Sequence, residues 1–256
     1  MLEPGHVYHA DCFDLMSRLE PASVDAIITD MPYGTTACSW DTVVDLPTWW
    51  AAVKRVLKPR AAFVTTASQP FTSALVMSNP ETYSYSWVWL KNRATGFANA
   101  KHQPLRKYED VLVFYASTYY PQNLKRVNRV MRNSRSTGGK TTRDFRYGET
   151  YIQEYENYPD NVLCFDIDED ELHPTQKPVE LYEYLLRTYT QPGELVLDPF
   201  CGSGTTAIAA LNTDRQFIVG DFTREYVDIT ERRIANWRRE GDIEVAPGVH
   251  QLGLFA

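Results

Sequence analysis

Asp30-Met31-Pro32-Tyr33 brings a carboxylate, a main-chain carbonyl and an aromatic face together where an apolar run, Val24, Ala26, Ile27 and Ile28, gives out. Ligands of α/β sheets bind at such strand ends. Pro32 biases Met31 toward an extended backbone and so restricts where its carbonyl points. A planar ring with an exocyclic NH2 fits this set: one amino hydrogen goes to Asp30, the other to the Met31 carbonyl, and the ring lies on Tyr33. Such an arrangement makes an aromatic amine nucleophilic. Taken alone, the quartet also reads as a turn, because Asp and Pro are common punctuation after a strand.

A second group lies far downstream. Asp198-Pro199-Phe200-Cys201-Gly202-Ser203-Gly204-Thr205-Thr206-Ala207 contains GxGxxA between a strand-like run, Leu195 to Leu197, and a helical pattern over Thr206 to Leu211. Glycines let a backbone approach a ligand closely. Asp221 closes the next strand, Phe217 to Val219, at about the 20-residue spacing of a carboxylate that grips ribose hydroxyls. A dinucleotide site leaves the helix N-terminus free for pyrophosphate, whereas here the carboxylate of Asp198 opens the turn. S-adenosylmethionine carries an ammonium and a sulfonium and no phosphate, so it suits this acidic, glycine-lined turn. A nicotinamide dinucleotide stays open as the alternative on this motif alone.

The elements that must position these groups follow from periodicity. Val7 to Ala10 reads as a short strand, Leu15, Met16 and Leu19 as a helical turn, and a helix from about Pro47 carries Trp49, Trp50, Val53, Val56 and Leu57 on one face until Lys58-Pro59. Ala62 to Thr65 is a further buried strand. Tyr85 to Leu90 and Asp110 to Tyr115 are two strands able to pair at a sheet edge. Periodicity fades from Ala116 to about Glu171. Pro178 then opens a helix with Val179, Tyr182, Leu185, Leu186 and Tyr189 on one face, and Arg224 to Arg239 forms a last helix. The expected fold is a doubly wound, mostly parallel seven-stranded Rossmann-like α/β sheet with an antiparallel edge hairpin and an insertion. Residues 1–115 and 172–240 form the main domain, 116–171 the insertion and 241–256 a tail.

Composition narrows the class. The chain of 256 residues can bury a full core, and its formal charge of −7 argues against a uniformly basic nucleic-acid binder. The charge is unevenly spread, however. Lys125, Arg126, Arg129, Arg132, Arg135, Lys140, Arg143 and Arg146 face a single acid, Asp144, which puts +7 on this stretch and leaves −14 on the rest. Such an arm binds phosphates by releasing counterions, or is simply a solvated loop. Cys12, Cys38, Cys164 and Cys201 form no CxxC pair, which argues against disulfides and zinc and for a reducing cytoplasm. No stretch approaches the ~20 apolar residues of a membrane span. Ser134 to Thr141 lacks the first glycine of a P-loop, and Asp166, Asp168, Asp170 and Glu171 lack the glycine and distal Glu of a calcium loop. No metal is expected.

With His173-Pro174-Thr175-Gln176-Lys177-Pro178 added to the two motifs, the chain resembles the amino-group (N6-adenine/N4-cytosine) DNA methyltransferases, in particular the permuted β group. In that group the catalytic tetrapeptide precedes the target-recognition region and the cofactor motif comes last, as here. The resemblance spans about Val7 to Trp237 and includes Lys107-Tyr108-Glu109-Asp110-Val111-Leu112-Val113-Phe114, which looks like the family strand before the recognition region. It implies catalytic roles for Asp30, Met31, Pro32 and Tyr33, and makes the insertion the target-recognition region. Asp198, Phe200, Gly202 and Gly204 would line the methionine of S-adenosylmethionine, with Thr205 of the same turn among the cofactor contacts. Asp221 would hold the ribose and Asp11 would lie near the adenine. Thr175 and Lys177 would hold the methionine moiety, Lys177 beside its carboxylate. Two departures stand out: Met31, where the family usually has proline, and Arg60-Ala61, where it often has two glycines.

The resemblance implies methyl transfer to an exocyclic amine of a base flipped out of double-stranded DNA. Adenine N6 is preferred because the quartet opens with Asp, and cytosine N4, an RNA adenine or a nucleic-acid-binding module with weakened catalysis are the rivals. Asn123, Asn128, Asn133, Arg135 and Arg143 are base-reading candidates by residue type, and Gly34 to Asp41 is a candidate lid. The recognised sequence, a partner nuclease and the choice between monomer and homodimer stay open.

Overall fold

An apolar run such as Val24 to Thr29 is stable only where both of its faces are covered, and the fold supplies a layer of helices on each side. The computed structural model describes residues 2–34, 42–132, 150–167 and 176–242. In chain order its elements are β1 (His6–His9), α1 (Cys12–Ser17), β2 (Val24–Thr29), α2 (Leu46–Val56), β3 (Leu57–Ala67), α3 (Phe71–Ser78), β4 (Tyr83–Thr95) and β5 (Arg106–Phe114). There follow β6 (Lys125–Arg132), β7 (Thr150–Glu156), β8 (Val162–Cys164), α4 (Val179–Tyr189), β9 (Leu195–Asp198), α5 (Thr205–Asn212), β10 (Gln216–Asp221) and α6 (Arg224–Asp242).

The main sheet has the order β1-β10-β9-β2-β3-β5-β4-β8. Strands β1, β10, β9, β2 and β3 are mutually parallel, β5 runs against both β3 and β4, and β8 is parallel to β4. From the adjacent pair β9 and β2 the chain winds outward in opposite directions, to β10 and to β3. That makes their boundary the switch point at which α/β sheets open a crevice beyond their carboxyl ends.

Alternation along β2 divides the core. Ala26 and Ile28 pack with Leu181, Leu185 and Leu186 of α4, Ala207 and Ala210 of α5 and Ile234 of α6. Ile27 faces the other layer, with Leu15 and Met16 of α1, Trp49, Trp50 and Val53 of α2 and Leu75 of α3. Helix α2 starts where Asp45 accepts the Thr48 N–H at 3.0 Å, capping its first turn.

The structure departs from the sequence expectations in several places. Among the described residues the sheet has eight strands rather than seven, because β8, within the expected insertion, pairs with β4; the β4/β5 hairpin therefore does not lie at the edge. The stretch expected to lack periodicity also holds β6 and β7, an antiparallel ribbon separate from the main sheet. Helix α3 had no clear sequence signal. Helix α2 ends at Val56 and passes straight into β3, and the β2/β3 register shifts between Val24 and Ala26. Arg60 in that irregular stretch has φ +73°, the left-handed conformation in which the family's glycine carries no steric penalty. Among the described residues no helix is long and apolar enough to cross a membrane.

Candidate active site

Three adjacent strands deliver carboxylates to one rim: Asp221 and Asp198 end β10 and β9, and Asp30 follows the last residue of β2. All three line a cavity of about 350 Å³. At the switch point itself, Thr29 Oγ1 donates to Asp198 Oδ1 at 2.5 Å, stitching β2 to β9. Thr206 Oγ1 of α5 donates to Oδ2, and the Phe200 N–H to Oδ1 at 3.0 Å. Asp198 is only 2% exposed, and burial pushes its carboxyl up to about 7 despite these three donors.

The neighbouring turn is held by its backbone. Asp221 accepts the Gly202 N–H at 3.1 Å and the Thr223 N–H at 2.8 Å. Gly204 caps α5 at φ +86°, where a Cβ would fall 2.6 Å from Thr230 Cγ2, so only glycine fits. Phe222, half exposed, and Tyr226 line the cavity beyond Asp221 and present apolar surface there.

Around Asp30 the side chains form an alternating chain of charge. Its Oδ1 accepts the Tyr33 hydroxyl at 2.6 Å and the Thr66 hydroxyl of β3. Its Oδ2 accepts from Lys177 Nζ at 2.6 Å. Lys177 Nζ also lies 3.4 Å from Glu109 Oε2 of β5, and Glu109 Oε1 is bonded to Lys91 of β4. Burial opposes the charge on Lys177, but Asp30 and Glu109 together raise its ammonium above the usual lysine range. Burial would likewise raise the Glu109 carboxyl; Lys177 and Lys91 outweigh it and hold the group below the usual carboxylate range. The Tyr33 hydroxyl is pushed up by burial and by Asp30.

Most of the expected site residues therefore meet. Asp30, Met31, Pro32, Tyr33, Lys177, Asp198, Phe200, Gly202, Thr205 and Asp221 all line the cavity. Several do so differently from expectation. Lys177 is buried, lines the cavity and is bonded to Asp30 of the quartet. One face of Tyr33 is stacked on Phe71, centroids 5.4 Å apart at 20°, which leaves at most the other for a base. The Met31 side chain is 2% exposed and belongs to the core that includes Trp49 and Phe71. Gly204 shapes the turn without lining the cavity. Asp11 does not line the cavity; it caps α1 by accepting the Phe13 N–H at 2.8 Å, and its neighbour Ala10 donates its N–H to Asp221 O at 3.1 Å. Thr175, Arg135, Lys140, Arg143, Arg146, Asn133 and residues 35–41 lie outside the described residues.

Four members of the basic arm, Lys125, Arg126, Arg129 and Arg132, are exposed on β6; Lys125 and Arg129 each come within 3.5 Å of Glu156 on β7. The sequence reading missed Thr66, Lys91, Glu109 and Tyr182 as cavity or network residues. Glu109 had a signal: it is an acid in a strand that becomes wholly apolar from Val111 to Phe114, and a buried acid needs a cation.

The β9/β10 side of the cavity presents carboxylates and main-chain groups, while Lys177 and Lys91 on the opposite side are paired with acids. That donor set fits a cationic ligand free of phosphate. A doubly wound sheet with this rim at its switch point fits a methyltransferase dependent on S-adenosylmethionine, and the family match and a SAM-bound relative make S-adenosylmethionine the cofactor. The family signature for DNA methylases matches residues 24–232, and the chain belongs to that family, the N6/N4 amino-methylases. It is 26% identical to the Type II methyltransferase M1.MboII of Moraxella bovis, over 89% of this chain and 95% of the relative. It is 27% identical to the DNA adenine methyltransferase YhdJ of Escherichia coli (strain K12), over 91% of this chain and 83% of that one. The crystal structure of the M1.HpyAVI–SAM complex superposes with a TM-score of 0.58 at 26% identity, covering 89% of this chain and 98% of that one.

Proposed function

We propose that the chain methylates the N6 amino group of adenine in double-stranded DNA, after flipping the base out of the helix. The observation that carries this reading is the Asp30 carboxylate at the end of β2, its Oδ1 held by Tyr33 and Thr66, one strand away from Asp198 at the cofactor turn. When bound, the cofactor supplies a methyl group on a sulfonium sulfur. Asp198 and the Gly202 turn bind its methionine end, and Asp221 takes the ribose hydroxyls. Asp30 Oδ2 and the Met31 carbonyl accept the two amino hydrogens, which localises the nitrogen lone pair and favours the positive charge that develops there. Removing one such preorganised contact typically slows a reaction ~100- to 1000-fold. Tyr33 offers its remaining face to the base.

The Asp that opens the quartet and the 27% identity to an enzyme named as a DNA adenine methyltransferase both favour adenine over cytosine. Residues 1–115 and 172–240 serve as the catalytic domain and 116–171 as the recognition region. The exposed cations of β6 take phosphates, which position the duplex and leave sequence reading to other contacts.

Labelled S-adenosylmethionine, offered with unmethylated plasmid DNA or with RNA and followed by digestion to nucleosides, tests the reading. N6-methyladenine from DNA is expected. N4-methylcytosine would sink the adenine assignment, and label in RNA alone would sink the DNA reading.

A further inference from the structure

Lys177 stands where the substrate amine has to go. Asp30 Oδ1 already accepts two hydroxyls, and Oδ2 faces the Lys177 ammonium at 2.6 Å. An ammonium held there competes for the acceptor and repels the positive charge that builds on the amine nitrogen. Lys177 has a second place to go. Glu109 Oε2 lies 3.4 Å away, is buried, and receives no aligned hydrogen bond among the described residues. A buried acceptor in that condition is uncommon. Glu109 itself is anchored through Oε1 to Lys91, whose Nζ in turn sits 4.9 Å from the centre of the Trp89 ring.

On the reading that the target amine docks at Asp30, we propose that Glu109 is a positioning residue that receives Lys177 when the amine arrives. The ammonium moves from Asp30 Oδ2 to Glu109 Oε2, and Asp30 is released to the amine. No covalent bond changes, and Asp30, Lys177, Glu109 and Lys91 keep a combined charge of zero throughout. The move satisfies the one buried acceptor left without an aligned donor in this chain of charges, at the moment when Asp30 gains another partner.

Single-turnover methyl transfer to unmethylated plasmid DNA, at saturating labelled S-adenosylmethionine, separates this role from a structural one. Glu109→Gln removes the receiving carboxylate and leaves Lys177 held by Asp30; the rate is expected to fall about 10- to 100-fold while cofactor affinity stays within about 3-fold of wild type. The double variant Lys177→Met with Glu109→Gln removes the competing cation as well and keeps the charge balanced. It is expected to be at least about 5-fold faster than Glu109→Gln alone, a recovery that two independent structural losses would not give. A double variant no faster than the single one overturns the proposal, as does a Glu109→Gln rate within 2-fold of wild type. Should Glu109→Gln fail to fold, Glu109→Asp keeps the charge and shortens the reach toward Lys177; a slowed rate that Lys177→Met restores is expected, and a rate equal to wild type overturns the proposal. Wild type that labels no DNA refutes the docking reading itself, whereas labelling without recovery in the double variant refutes only the role of Glu109.

Discussion

Replacing Asp198 by Asn should stabilise the protein at high pH while weakening its hold on the cofactor. Asp198 is 2% exposed, and burial moves its carboxyl from 3.8 up to about 7. An acid raised in this way binds its proton more tightly folded than unfolded, so stability is lost as pH climbs from about 4 and the loss is complete above about 7. At 1.36 kcal/mol per pH unit the full penalty is about 4 kcal/mol, more than half of it accruing between pH 5 and pH 8. Asn keeps the shape and removes the charge, but it disturbs the hydrogen bonds from Thr29, Thr206 and Phe200, each worth about 1 kcal/mol. Those losses do not depend on pH. The quantity to measure is therefore the variant-minus-wild-type unfolding free energy in urea, which should rise by about 3 kcal/mol from pH 5 to pH 8. On the proposed placement of the cofactor's methionine end at Asp198 the preference reverses, because its ammonium favours the ionised carboxylate. With its carboxyl pushed up to about 7, Asp198 is mostly protonated at pH 6 and mostly ionised at pH 8, so wild-type affinity by titration calorimetry should be several-fold weaker at pH 6, with proton release on binding. Asp198→Asn should show neither effect. A pH-independent stability difference, or wild-type affinity that is flat from pH 6 to pH 8, would refute the assignment.

Further outcomes follow from other positions. Asp30→Ala should reduce nucleoside labelling by at least about 100-fold and leave cofactor affinity nearly unchanged; lost affinity would mean that Asp30 serves the cofactor. Arg60→Gly relieves a left-handed conformation and should raise the unfolding free energy by about 1 kcal/mol in urea titrations, with activity unaltered. Gly204→Ala forces a Cβ to within 2.6 Å of Thr230, so a loss of several degrees in melting temperature and weaker cofactor binding are expected together. Arg126→Ala combined with Arg132→Ala should flatten the salt dependence of DNA affinity by about two in log–log slope and spare the cofactor.

The catalytic half of the molecule was legible because its elements are strongly patterned. Strand β2 is an apolar run closed by a proline two residues after Asp30, and α4 repeats apolar residues at helical spacing behind Pro178. Both motifs lay at strand ends, where their neighbours in sequence are also their neighbours in space. The network was not legible for the opposite reason. Thr66, Lys91, Glu109 and Lys177 come from four separate segments and meet only through the antiparallel turn of β4 and β5 against β3. Helix α3 follows Ser68-Gln69-Pro70, which reads as a loop, and has no side-chain cap to announce it. The ribbon of β6 and β7 pairs polar and basic residues across two strands, and its aliphatic pair, Val130 opposite Ile152, is exposed. Without a buried face, alternation leaves little mark on the sequence.

On the proposed reading of residues 116–171 as the recognition region, strand β8 sets a rule for recombining specificities. It consists of three residues, Val162–Cys164, yet it pairs with Val88, Trp89 and Leu90, and just beyond it the Phe165 carbonyl accepts the Trp89 indole N–H at 2.8 Å. Exchanging residues 116–171 whole between relatives would strip the β4 edge and orphan that indole two residues from Lys91. A splice placed between Glu156 and Val162 exchanges the ribbon and keeps the edge covered. In this scaffold the module free to be inherited from another lineage is shorter than the insertion, and its downstream seam lies before β8.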